Sequence, residues 1–184
     1  MSAGNWSIDP THSNVEFGVK HMMFTTVRGQ FSSFEGAISF DPENPANSSV
    51  EVKIDATSID TGVEDRDNHL RSGDFFDVEQ FPSLTFRSTA VNGPIAEGGA
   101  FTIAGDLTIR GETRSVILNA AFDGTGTDPW GGSRAGFSAK TTIDRRDFGL
   151  TWNQALEAGG VLVGHDISIS LQVQGVLQEE LAAV

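Results

Sequence analysis

His12–Phe40, HSNVEFGVKHMMFTTVRGQFSSFEGAISF, decides what kind of fold this chain can make. Val15, Phe17, Val19, His21 and Met23 fall on one side of a two-residue period, and Asn14, Glu16, Gly18 and Lys20 on the other, so the first half reads as a half-buried strand. Its oily face carries a histidine, which inside an apolar wall must find a partner or give up its charge. Thr25, Thr26 and Gly29 interrupt the alternation; Phe34, Gly36, Ile38 and Phe40 resume it. The expectation is two strands joined by an open, Met-containing connection rather than by a tight two-residue hairpin.

The same period continues on both sides of this stretch. Trp6 and Ile8 form a lead-in strand closed by Asp9-Pro10. Val50, Val52, Ile54 and Ala56 alternate with Glu51, Lys53 and Asp55, a strand wet on one side. Further stripes follow at Leu84–Ala90, Phe101–Ile109, Val116–Phe122, Phe137–Ile143 and Ile167–Val173, with Gly111-Glu112 predicted as a compact turn. Only Thr57–Pro82 departs from the pattern. Charges at helical spacing predict one short helix near Glu64–Ser72, capped by Asp60 or Thr61, along which Asp65 and His69 could pair. The C-terminal Glu179–Val184 tail is expected to fray. About eight antiparallel strands with even spacing indicate a closed barrel or a sandwich. A barrel of that size either fills its interior with side chains or holds one small ligand.

At 184 residues the chain is expected to be one domain, with a core from about residue 6 to 178. The lack of Cys excludes disulfides, thiol catalysis and thiolate metal ligands. The start, MSAGNWSIDP, has neither a basic region nor an apolar run, which argues against a secretory signal and for a cytoplasmic protein. Nothing approaches the roughly 18 apolar residues of a membrane span, so stable membrane insertion is not expected. Twelve basic against 25 acidic side chains leave a net charge of −13, a field that repels nucleic-acid phosphates and anionic lipid surfaces. The chain has 13 Phe and 3 Trp but no Tyr. Such a composition suits ordinary core building, and it also suits walls that contact hydrocarbon with few groups to orient a polar substrate.

Chemistry-bearing motifs are sparse. Gly131-Gly132-Ser133-Arg134-Ala135-Gly136 misses the spacing of a nucleophile elbow, and Gly124-Thr125-Gly126 runs into Pro129 where a phosphate loop would need another glycine. The four histidines, His12, His21, His69 and His165, stand on separate elements with no pair at ligand spacing. His21 reads equally as a satisfied core histidine, Arg66, Asp67, His69 and Arg71 as a solvated helix face, and Arg145, Arg146 and Asp147 as a turn held by its own ion pairs.

In combination these segments are more specific. Asp9-Pro10-Thr11-His12-Ser13, Phe17, Val19 and His21-Met22, Val27-Arg28-Gly29, Ser58-Ile59-Asp60-Thr61-Gly62 and Arg66-Asp67-Asn68-His69-Leu70-Arg71 follow in order. Phe75-Phe76-Asp77, Phe81-Pro82 with Phe86, Leu107-Thr108-Ile109-Arg110-Gly111 with Thr113, and Arg146-Asp147-Phe148-Gly149 complete the series. From Asp9 to about Val176 the chain resembles the YceI-like family. The resemblance implies an all-β, single eight-stranded antiparallel lipocalin-like barrel with one short helix. It also implies a long apolar cavity that takes an isoprenoid or other lipidic chain, with no metal or redox cofactor.

On that reading the protein sequesters or carries a long-chain amphiphile. Phe17, Val19, Met23, Phe31, Phe86, Ile103, Leu107, Phe137 and Ile169 are the expected wall residues, and His21, Arg66, His69 and Arg145 the polar candidates at the mouth. The competing expectation is a metal-dependent or histidine-based enzyme site at the mouth, using His21, His69 and nearby carboxylates. A third is a filled barrel acting through protein partners. Homodimerisation stays open at this level, because edge-strand and loop contacts leave no clear mark in a sequence.

Overall fold

The computed structural model describes residues 3–178, and in it the decisive stretch is one arm and the return of a long bent hairpin. β1 (Gly4–Ile8) and β2 (Asn14–His21) make the rising arm; β3 (Thr25–Phe31) and β4 (Phe34–Phe40) make the falling one. β2 pairs with β3 from Val15 opposite Phe31 to His21 opposite Thr25, and β1 with β4 from Ser7 opposite Ala37 to Gly4 opposite Phe40. The rising arm bends at Asp9–Ser13. There the Asp9 carboxylate accepts the Thr11 amide at 3.0 Å, and the buried Ser13 hydroxyl accepts the Gln174 amide at 3.0 Å. The falling arm bends at Ser32-Ser33, whose amides donate to the carbonyl and hydroxyl of Ser58.

Two expectations about this hairpin are corrected. Thr25–Gly29 belongs to the strand, and the connection is a short tip of Met22, Met23 and Phe24, closed by the Phe24 amide on the His21 carbonyl at 3.0 Å. The alternation only looks broken at Gly29. That inward position faces Phe17 across the ladder, and the Phe17 ring covers the space a side chain would take.

β5 (Ser49–Asp55) continues through a 3-10 turn into the two-residue β6 (Ile59–Asp60), so it pairs first with β4 and then, past the bend, with β3. After α1 (Glu64–Arg71) come β7 (Ser83–Asn92), β8 (Ala100–Ile109), β9 (Glu112–Thr127), β10 (Ser133–Asp144) and β11 (Val163–Leu177). The ladder runs β4, β5, β7, β8, β9, β10, β11, all antiparallel. β11 then serves both parts of the rising arm: Ile167–Gln172 pair with β2, Gly175–Leu177 with β1. With each bent arm counted as one stave, eight strands close on themselves. Closure leaves no long sheet edge to protect, and it decides for a barrel over a sandwich.

The helix ends one residue earlier than expected, and neither Asp60 nor Thr61 caps it. Val63 stands at the cap position without a side-chain bond; Asp67, buried in the first turn, instead reaches back to accept the Thr61 amide at 2.9 Å and hydroxyl at 2.5 Å. His69 bonds Asp74 at 2.8 Å rather than pairing with Asp65. The compact turn is Arg110-Gly111, one residue upstream of the expected position, with φ of 50° and 73°. Glycine takes the second left-handed site there at no steric cost. The fraying expected of Glu179–Val184 lies outside the described residues.

The topology gives the barrel two distinct ends. α1, the 72–82 segment, the Arg110-Gly111 turn, the Met22–Phe24 tip and the 145–162 segment share one end; loops 41–48, 93–99 and 128–132 share the other. Each end has its own packed cluster. Phe31, Ile59, Phe75, Leu107, Phe148 and Leu150 belong to the first, and Trp6, Phe40, Val91, Ile95, Phe101 and Phe122 to the second.

Candidate functional site

Between the two clusters lies a cavity of about 260 Å³, close to the ~300 Å³ at which small-molecule sites begin. Every stave contributes inward side chains to it, among them Val15, Phe17 and Val19 of β2, Ile38 of β4, Val52 of β5, Ile103 of β8 and Ile169 of β11. These residues are only half-buried although they point inward, because the surface they keep accessible faces the cavity. Leu70, Phe75, Phe76, Phe148 and Leu150 line the helix end, and Phe40, Val91, Ile95 and Phe101 the other.

A barrel with so many phenylalanines could have filled itself. It stays vacant in part because rings lie along the wall over glycines. A Cβ on Gly29 would fall 2.4 Å from Phe17 Cζ, and one on Gly105 2.4 Å from Phe86 Cζ. Aromatic groups covering a strand glycine in this way lie flat on the sheet. Elsewhere rings pack tilted or edge-on against one another, as in the Phe40, Phe122 and Phe137 group with centroids 5.1 to 5.4 Å apart.

The surface turned to the cavity is carbon almost throughout. Arg145 is the charged residue that comes nearest to an exception: its side chain lines the cavity, yet it is only 3% exposed. Its guanidinium is directed into backbone, donating to the carbonyls of Gly164 (2.8 Å), Leu150 (2.7 Å), Trp152 (2.9 Å) and Val163 (3.3 Å). Burial pushes its pKa down. The adjacent Asp144 is committed to Arg146, whose hydrogen bonds hold that carboxylate at about 2. Arg145 is therefore a strut that ties the segment after β10 to the start of β11.

Among the expected wall residues, Phe17, Val19, Phe31, Phe86, Ile103, Leu107, Phe137 and Ile169 all line the cavity. Met23 does not: it stands on the hairpin tip, 66% exposed, because the strand ends at His21 and the turn carries the next residues outward. His21, opposite Thr25 and Val163, is also outside the lining. Arg66 is tied to the Thr61 hydroxyl and carbonyl at 2.7 and 2.9 Å. His69 bonds Asp74 and stands edge-on to Phe75 and Trp152, with centroids 5.1 and 4.8 Å away. These three polar candidates gather at the helix end without reaching the cavity. Leu70, Phe75 and Phe76, which do reach it, had a signal in the apolar residues that close the charged helical segment.

Among the described residues no three His, Asp or Glu side chains are grouped so as to hold a metal ion, and no helix is long and apolar enough to cross a membrane. His12 belongs to a bend network instead. Asp9, held below the usual carboxylate range chiefly by its hydrogen bond from His12, also receives Arg134, which bridges to Asp128 at 2.8 Å.

The fold and the site together define a closed antiparallel β-barrel built around one apolar cavity. The YceI-like domain matches residues 6–175, and the chain belongs to the YceI-like family. It is 38% identical over 178 residues to a UPF0312 protein of Vibrio cholerae, covering 95% of this chain and 88% of that one. Over 148 residues it is 43% identical to a UPF0312 protein of Photorhabdus laumondii, covering 79% and 76%. Among solved structures it is similar to a Campylobacter jejuni YCEI protein, with TM-score 0.73 and 28% identity over 87% of this chain and 90% of that one. The fold is also that of a polyisoprenoid binding domain from Saccharophagus degradans, implicated in plant cell wall breakdown, with TM-score 0.67 and 15% identity over 94% and 98%.

Proposed function

We propose that the protein binds one long-chain lipid of polyisoprenoid type in the barrel and sequesters or carries it. The observation that carries this reading is the vacant cavity, lined by carbon from every stave. Burying hydrocarbon is worth about 0.8 kcal/mol per methylene, so ten carbons supply about 8 kcal/mol before ordering costs. The tail alone can thus account for affinity. The polyisoprenoid binding assigned to the Saccharophagus domain is in keeping with such a ligand.

Because Arg145 spends its guanidinium on backbone and Glu16, the other charged residue of the lining, is exposed on the outward face of β2, no charged group is left to receive a head group inside. A head group then stays at an end of the barrel, and selection acts on tail length and thickness. Native mass spectrometry of protein from its own host, before and after organic extraction, should release one lipid per chain. Ala139→Phe, which adds a ring to the lining, should then lower uptake of a fluorescent prenol by about tenfold or more with the melting temperature kept. Protein that releases no lipid and takes up neither prenol nor fatty-acid probes would overturn the reading.

A further inference from the structure

Both ends of the barrel are stoppered by packed side chains, so a tail cannot slide in along the axis without unpacking a cluster. The wall offers another way. β5 and β7 are paired only from Asp55 opposite Ser83 to Glu51 opposite Arg87. Above that rung β5 keeps its partner β4 at Ser49 and Val50, and β7 keeps β8 as far as Asn92, but the two strands share no further rung. We propose that this seam is a lateral port through which the lipid tail enters and leaves the cavity, and that the 41–48 loop is the strap that covers it.

Three features of the wall support the port. The first is how the strands part. The Val50 amide turns to the Ser88 hydroxyl, at 2.9 Å, where a ladder would offer it a carbonyl. Thr89 has no partner in β8, since Ser88 stands opposite Gly105 and Ala90 opposite Ala104, and such a bulge bends its strand. The ion pair at the foot, Arg87 with Glu51 at 3.1 Å, stands largely in solvent and holds little. Widening the seam above Val50 therefore breaks no rung of the sheet.

The second feature is how the strap is held. The Asp41 carboxylate accepts the Glu43 and Asn44 amides at 3.2 and 2.9 Å and the Asn47 side-chain amide at 3.1 Å. The Ser48 hydroxyl accepts the Asp41 amide at 2.9 Å, and Pro45–Asn47 form a 3-10 turn that lies against β7. Among the described residues no hydrogen bond or ion pair leaves 41–48. The other segments over the ends are tied across. Gly98 donates to the Phe122 carbonyl at 2.8 Å, Met22 to the Leu162 carbonyl at 2.8 Å, and Arg134 links Asp128 to Asp9. Over the helix end, Arg71 donates to the Thr57 and Ile59 carbonyls and Arg110 to those of Gly73 and Gly149. The strap alone is closed on itself and rests on β7 by contact, so it can swing as one body between its anchored ends, Phe40 and Ser49. The third feature is reach. The cavity lining runs onto Ser48, Ser49 and Val50 on one side of the seam and Val91 on the other. The port rests on the lipid-binding reading and adds the route to it.

The test is the rate at which the full chain takes up a fluorescent prenol and gives it up to a cyclodextrin acceptor. The chain has no Cys, so introduced thiols can be bridged without side reaction. Ala46→Cys with Ala90→Cys, both exposed, one on the strap and one on β7, are joined by a short bis-maleimide. Against the same variant before bridging, uptake and release should both slow by about tenfold or more while the amount bound at equilibrium holds. Asp106→Cys with Ser115→Cys, a facing exposed pair on β8 and β9, joined in the same way, should change neither rate. Asp41→Ala, which unties the strap, should speed both rates by about threefold or more with equilibrium binding kept. A bridged strap that fills and empties as fast as the unbridged one, or Asp41→Ala with unchanged rates, would overturn the port and leave the cavity reading standing. Wild type that binds no prenol even at equilibrium would overturn both.

Discussion

At the scale of single residues, Arg145 shows how a charge can stand in a wall of hydrocarbon. Four carbonyls from 150 to 164 receive its donors, so the cation is solvated by backbone and no counter-ion is needed. Arg145→Met should leave those carbonyls without donors and destabilise the fold by roughly 3 kcal/mol or more in urea. Arg145→Lys should recover only part of this, because an ammonium is a point donor and cannot span the same fork. Asp144 makes a separate prediction. Its folded-state pKa of about 2 lies below the ordinary aspartate value of 3.8, so its contribution is present above pH 4 and is lost as pH falls through 2. Arg146 is half exposed, so the contribution should be about 1 kcal/mol or less. Asp144→Asn should therefore cost stability at pH 7 and converge with wild type only below pH 2.

At the scale of elements, strands were legible wherever alternation persisted, and so was the helix, because both show a period in the sequence. What sequence reading lost was position. Gly29 looked like a break because its inward place is filled from across the ladder by Phe17, a substitution between strands that no local pattern carries. The pair makes a prediction of its own. A methyl on Gly29 would meet the Phe17 ring and the Thr61 methyl, both side chains, so Gly29→Ala should tilt the ring into the lumen. The expected result is a loss of about 1–3 kcal/mol and a narrower ligand range, read by melting and by prenols of increasing thickness. The helix cap was missed for a related reason: Asp67 satisfies the Thr61 amide from within the helix, so the usual residue types sit at the start without acting as the cap.

At the scale of the whole molecule, a ligand that enters only the closed barrel must stabilise it. A prenol present at about 100 times its dissociation constant should add about 2.7 kcal/mol and raise the melting temperature, with the shift growing with concentration. A ligand held on the outer surface instead would leave Ala139→Phe as responsive as wild type. The cavity's wall was readable in large part, since Phe17, Val19, Phe31, Phe86, Ile103, Leu107, Phe137 and Ile169 occupy inward parity in a two-residue period, and parity is local. Met23 was misplaced because parity ends where the strand does. Arg66 and His69 kept their place at the helix end but turned to local partners, a choice made by side-chain direction. From the order of residues alone came the strands, their oily faces, the single helix and the family. Only the folded chain decided that the staves close through β1 and β11, that rings lie over glycines, and that space remains between them. The reason is physical: periodicity records which way a side chain faces from its own backbone, whereas vacancy depends on what every other stave sends into the same volume.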